Sequence, residues 1–179
     1  MVQKVIMECD IKPDGCSGVQ RKAGAPGVDH DEALLVRQGV PASELPLVLG
    51  PLHQAVQQAA DYHSDLPLTL DKVAGACFDF ARTHPTFYRL QMGLWYTPPE
   101  SESFQAVAPW NARLHTTVEQ LFAQAAEQHG NMRGRQRAYA ATFLGMIQTY
   151  AGLALNGYTR LEEPLVYQAV HQFMHGIFS

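Results

Sequence analysis

The chain has 179 residues, 46% of them hydrophobic and only 17% charged, a composition that excludes intrinsic disorder and leaves room for one or two small packed domains. A net charge of −4 argues against a molecule dominated by contacts to nucleic-acid phosphates. No apolar run reaches the roughly 18 residues of a membrane span, and the N-terminus lacks a secretory leader pattern, so a cytoplasmic protein with no membrane partner is expected.

Residues 1–51 differ in kind from the rest. They contain no Phe, Tyr or Trp, the first aromatic being Tyr62. Pro and Gly at positions 13, 15, 18, 24, 26 and 27 forbid a long helix before Val28. Residues 29–38 could form a short helix stopped by Gly39, and a second start at Ser43-Glu44-Leu45 meets Pro46 and then Gly50-Pro51. From Leu52 the pattern becomes helical: Leu52, Val56, Ala59, Ala60 and His63 make a weak stripe, and Asp65-Leu66-Pro67 reads as a loop. Leu70, Val73, Ala74, Cys77 and Ala81 define the next face, broadened by Phe78 and Phe80. His84-Pro85 marks a helix boundary, since proline disfavours helical geometry in the residue before it and suits the first turn of the helix it opens. Phe87, Leu90 and Leu94 then recur at helical spacing, with Met92 and Trp95 widening the apolar face.

Thr97-Pro98-Pro99 closes that helix, and Ser101 is a candidate N-cap with Glu102 in the first turn. Pro109 predicts a kink or restart. Val107, Trp110, Leu114, Val118, Leu121, Phe122 and Ala125 form a strong stripe that ends at His129-Gly130. Residues 133–155 are the longest pattern: Tyr139, Phe143, Met146, Ile147, Tyr150 and Leu153 on one face, and the small residues Ala138, Ala141, Gly145 and Gly152 on a second. A helix apolar nearly all round is expected to be buried on both sides. Glu162-Glu163-Pro164 opens the last helix, whose core face is Val166, Val170, Phe173 and Ile177. The fold class expected is all-α.

The stretch Phe80-Ala81, His84-Pro85, Tyr88-Arg89-Leu90 resembles the ligand-binding domain of the tetracycline-repressor (TetR) family, in which such a segment joins two helices lining the pocket. The resemblance covers residues 52–179 and divides the chain into 1–51, in the place of a helix-turn-helix domain, and 52–179, a ligand-binding and dimerisation domain. It implies a homodimer through a four-helix bundle made by the last two helices of each protomer, with Ala138, Ala141, Gly145, Gly152, Val166, Val170, Phe173 and Ile177 at the interface. It also implies a one-component repressor whose affinity for operator DNA falls when a small apolar or aromatic effector enters the helical pocket. The family carries about 45–50 residues of three-helix DNA-binding unit at the N-terminus, ending in a Tyr-x-x-Phe recognition helix. That signature is absent from residues 1–51, which leaves three readings: a divergent DNA-binding unit, a unit that has lost the role, or a frameshifted segment. The abrupt change in composition favours the last two. The alternative function is a helical ligand-binding and dimerisation protein that does not contact DNA.

The candidate effector contacts are Phe78, Phe87, Tyr88, Met92, Trp95, Trp110, His115, Phe143, Ile147 and Tyr150, a set of bulky or amphipathic side chains on consecutive helices. For any one of them plain core packing outweighs ligand contact, but together they exceed what a minimal helical core needs. Gln91, Gln148, Thr149 and His115 are the candidate polar anchors. No phosphate loop or nucleophile elbow is present, so no enzymatic activity, catalytic residue or cofactor is expected. His171 and His175 stand at i, i+4, a spacing that can hold a metal, but no carboxylate accompanies them and a structural or interfacial role is expected. Three cysteines, Cys9, Cys16 and Cys77, form no metal or disulfide framework.

Overall fold

The structure, a computed structural model, describes residues 43–176. The short helix expected over 29–38, the rest of 1–42 and Ile177 lie outside the described residues. All regular structure among those described is helical: α1 (Leu45–Ala59), α2 (Leu66–Thr83), α3 (Pro85–Trp95), α4 (Glu102–Gln128), a 3₁₀ turn (Gly130–Met132), α5 (Gln136–Leu155) and α6 (Glu163–His175). The all-α expectation holds.

Four of the six described helices start with proline in the first turn: α1 at Pro46, α2 at Pro67, α3 at Pro85 and α6 at Pro164. That position needs no N–H, and the ring presets φ for the helix. The 65–67 segment expected as a loop is therefore a helix start. Asp65 is the N-cap of α2, its Oδ1 accepting from Leu68 N at 2.9 Å. Ser101 caps α4 as expected, accepting from Phe104 N at 3.1 Å.

Two prolines expected to stop or kink helices do not end them. α1 runs through Gly50-Pro51, so the 51/52 boundary falls inside one continuous helix. An interior proline costs about 3 kcal/mol. Leu45, Val48, Leu49, Leu52 and Val56 are all buried on that helix, and each contributes about 1.5–3 kcal/mol on burial. The burial wins. Likewise Pro109 lies inside α4, which continues for 27 residues and is the longest of the described helices. α5 starts later than the pattern suggested, because the 3₁₀ turn and Gly134, with φ at +77°, occupy its approach.

Helix ends are well specified. After α5, Gly157 N donates to Ala154 O and Tyr158 N to Leu153 O, both at 2.9 Å. With Gly157 at φ +81° this is a Schellman ending. Arg89 of the Tyr-Arg-Leu motif reaches the same end: it donates to Leu155 O and, at 3.3 Å, to Asn156 Oδ1. A cation is thus set on the negative pole of α5. Tyr62 Oη donates to Gln128 Oε1 at 3.0 Å, tying the α1–α2 connection to the end of α4.

α2 and α4 are the central helices: α2 packs on α1, α3, α5 and α6, and α4 on α1, α3 and α5. The core falls into two clusters. The larger one is centred on Leu70, Val73, Phe78, Val118, Phe122, Phe143 and Ile147. The smaller holds Leu45, Val48, Leu49 and Val107, with Phe87, Leu94, Trp95 and Trp110 packed around it. α5 and α6 touch each other little.

Candidate functional site

The weak contact between α5 and α6 opens a cleft of about 860 Å³ where they meet the end of α4. Its floor is Leu66 and Phe122, both buried. Its walls are the half-buried Tyr139, Met146 and Tyr150 of α5, Phe173 and Met174 of α6, and Met132 of the 3₁₀ turn. The polar groups lining it are Asn131, Thr142, Thr149 and Gln172. Among the described residues, no ionisable group other than the tyrosine phenols lines it. Tyr150 Oη donates to Gln172 Oε1 at 3.3 Å, joining the two helices across the opening. Volume, aromatic and methionine walls and a few neutral hydrogen-bonding groups together suit a small apolar ligand.

The effector contacts expected from sequence are not brought together in one place. Only Tyr150 lines the cleft. Phe78, Tyr88, Phe143 and Ile147 are buried in the larger core cluster, with Phe143 fully inaccessible and its ring 6.3 Å from Phe122 and 5.2 Å from Phe173. Met92 packs against that cluster, and Trp95 and Trp110 against the smaller one; Phe87 touches both. His115 is half-buried on α4, its imidazole pushed below the usual histidine range mainly by burial. Of the expected polar anchors, Thr149 lines the cleft and Gln91 is buried elsewhere. Met132, Tyr139, Met174 and Gln172, which do line it, were not singled out as contacts; Tyr139 stood in the α5 stripe and Met174 flanked the α6 core face, and that was the available signal.

Gln91 and Asn111 form a second polar feature. Gln91 of α3 is 2% exposed and Asn111 of α4 is 3% exposed, and Gln91 Nε2 donates to Asn111 Oδ1 at 2.9 Å. Gln91 Oε1 and Asn111 Nδ2 have no partner. Three residues before Gln91, the Tyr88 phenol is pushed far up by burial, marking surroundings that penalise charge. His53 of α1 also has a buried, unpartnered Nε2. Its ring meets Trp110 edge-on at 5.1 Å, Arg113 lies 5.3 Å over the same indole, and burial followed by the Arg113 charge lowers the His53 pKa.

The expected interface residues divide between two surroundings. Ala138 and Ala141 of α5 are exposed, and Gly145 and Gly152 half-exposed; among the described residues nothing beyond the helix's own backbone lies within 4 Å of where a Cβ at either glycine would sit. From Ala138 to Leu155 the sequence has no charged residue at all. The second apolar side of α5 is therefore open among the described residues. On α6, Val166, Val170 and Phe173 turn inward onto the core instead. Its outward residues are Tyr167, Gln168, His171, Gln172 and His175, with Tyr167 64% exposed. The His171 and His175 rings lie 4.6 Å apart. Among the described residues no group of three or more His, Cys, Asp or Glu side chains is placed to hold a metal ion. Cys77 is buried, its thiol pushed up to about 12 by desolvation, and is inert packing. No described helix is long and apolar enough to cross a membrane.

The chain matches no protein-family model, no curated protein and no solved structure.

Proposed function

We propose that this chain is a TetR-like transcriptional regulator, a repressor that senses a small apolar or aromatic molecule and works as a homodimer. The cleft between α5, α6 and the end of α4 carries the reading: an uncharged space of about 860 Å³ walled by Tyr139, Met146, Tyr150 and Phe173 fits the usual size and lining of a small-molecule site. The uncharged outward face of α5 supports pairing with a second copy, because an exposed helix face without charge is normally covered. Effector binding beside that face would bias one arrangement of the two protomers over another, and so the spacing of their N-terminal segments on DNA. Titration with N-phenyl-1-naphthylamine, a neutral fluorescent probe, tests the site. Saturable binding of one probe per chain, weakened by Tyr150→Ala and by Met146→Lys, is expected. Binding that never saturates, or that ignores both substitutions, removes the cleft from consideration.

A second reading, a sensor and dimerisation module that does not bind DNA, is favoured by one observation. Between Ser43 and Asp61 the chain carries no Lys or Arg, so α1 offers no cation to a phosphate backbone. A gel-shift with DNA from the chain's own promoter region, at two salt concentrations, separates the two. A specific, saturable complex supports the regulator; absent or sequence-blind binding supports the module.

A further inference from the structure

We infer that the groove between α1 and α4 is a binding site for the carboxylate of a small monoanionic organic acid, held by Arg113 and separate from the α5–α6 cleft. The groove has a volume of about 390 Å³. α1 contributes His53 and Gln57, one turn apart, and α4 contributes Pro109, Arg113, Thr116 and Thr117. Among the described residues no acid lines it, and Arg113 makes no ion pair. The sequence explains why. An exposed arginine on a helix usually finds its carboxylate three or four residues away, but those positions hold Pro109, Trp110, Thr116 and Thr117. Across the groove α1 presents the uncharged Gln57 and His53, whose proton affinity is lowered by burial and then by the Arg113 charge itself. Arg113 is thus an unneutralised charge in the wall of a cavity.

The guanidinium is also oriented. It lies 5.3 Å over the Trp110 indole, and the His53 ring meets the same indole edge-on at 5.1 Å. Stacking occupies the flat face of a guanidinium and leaves its in-plane N–H groups for a ligand, a fork that matches the two oxygens of a carboxylate. Thr116, Thr117 and Gln57 add neutral hydroxyl and amide donors along the groove. One cation suits one negative charge. A dianion would keep a charge uncompensated, a cation would meet Arg113 with like charge, and a neutral molecule would forgo the charge-assisted bonds. The same reasoning separates the two sites: the cleft is lined without a cation and suits a neutral ligand, whereas the groove has one and suits an anion. Because Arg113 is exposed, the affinity is modest, with a Kd on the order of 1 mM.

The test uses propionate, propionamide and inorganic phosphate at constant ionic strength and about pH 6. The His53 ring and Arg113 Nε–H signals of the whole chain are followed by NMR. Propionate is expected to move both signals saturably, with propionamide, equal in size but uncharged, about ten-fold or more weaker. Arg113→Gln should abolish the preference for propionate over propionamide and leave the helical circular dichroism unchanged. The inference is overturned if propionate and propionamide move the signals alike, or if the shifts grow linearly without saturating, as a general salt response would. It is equally overturned if the Arg113→Gln chain still prefers propionate. Phosphate binding more tightly than propionate also overturns it, since the groove then reads charge and not a planar carboxylate. The wild-type titrations decide the matter even if the variant does not fold.

Discussion

At the scale of single residues, burial and hydrogen-bond accounting separate side chains that sequence treats alike. Phe143 and Tyr150 lie on the same apolar stripe of α5, yet one is fully enclosed among Phe122 and Phe173 and the other stands at the cleft with its hydroxyl on Gln172. Phe143→Ala should therefore cost about 3–5 kcal/mol of stability in urea unfolding. Tyr150→Ala should cost about 1–2 kcal/mol and show its main effect on probe binding. Equal losses of stability would return Tyr150 to the core. His53 and His115 make a second prediction. Both have native pKa values below the usual 6.5, mainly through burial. Below about pH 6.5 the unfolded chain takes up protons that the native state resists, so stability is fully present above that pH and falls as pH drops toward the native values. The urea midpoint should decrease between pH 7.5 and 5.5, and His53→Gln should flatten the decrease. Asp71 is shifted upward by burial and then by Asp65, and acts in the opposite sense from the carboxylate range upward. A wild-type profile that the His53 variant reproduces would show that His53 does not contribute.

At the scale of elements, capping decides where helices begin and burial decides whether they continue. Asp65 illustrates the first: its carboxylate satisfies an otherwise free N–H at the start of α2, the helix on which four others pack. Asp65→Ala should lower stability by about 1 kcal/mol in chemical denaturation, and Asp65→Asn by less. No change would mean that the N–H is satisfied by water at no cost. Pro51 and Pro109 illustrate the second. Local propensity assigns each a break, but the residues around them, Leu49, Leu52, Val107 and Asn111, are all buried in one continuous register. Helix propensity acts one residue at a time, whereas burial sums over a whole face.

At the scale of the whole molecule, α5 is the described helix that presents an uncharged outer face. Its inner face packs into the larger cluster while its outer face, Ala138, Ala141, Gly145 and Gly152, carries no charge and is exposed or half-exposed among the described residues. Gly145→Leu is a sharp test of pairing because a Cβ added there meets no other described residue within 4 Å. A better helix former than glycine should leave the monomer's helix content intact or raise it. Sedimentation of the wild-type chain should give a dimer, and of the variant a monomer. A dimer unaffected by Gly145→Leu would place the pairing surface elsewhere.

The sequence by itself determined the helical class, the break at His84-Pro85, the Ser101 cap and the two-sided character of α5, because these depend on periodicity, on proline geometry and on short-range hydrogen bonds. It also marked residues rich in aromatics and methionine, but could not sort them into core and site. Phe78, Tyr88, Phe143 and Ile147 went to the interior and Tyr150 to the cleft according to how α2, α4, α5 and α6 cross. Only the tertiary structure brought Gln91 and Asn111 together from two helices, left their remaining donor and acceptor unpaired, and set Met132 and Gln172 beside Tyr150. Periodicity fixes which face of a helix turns inward; which neighbour that face meets is decided by packing between elements distant in the chain.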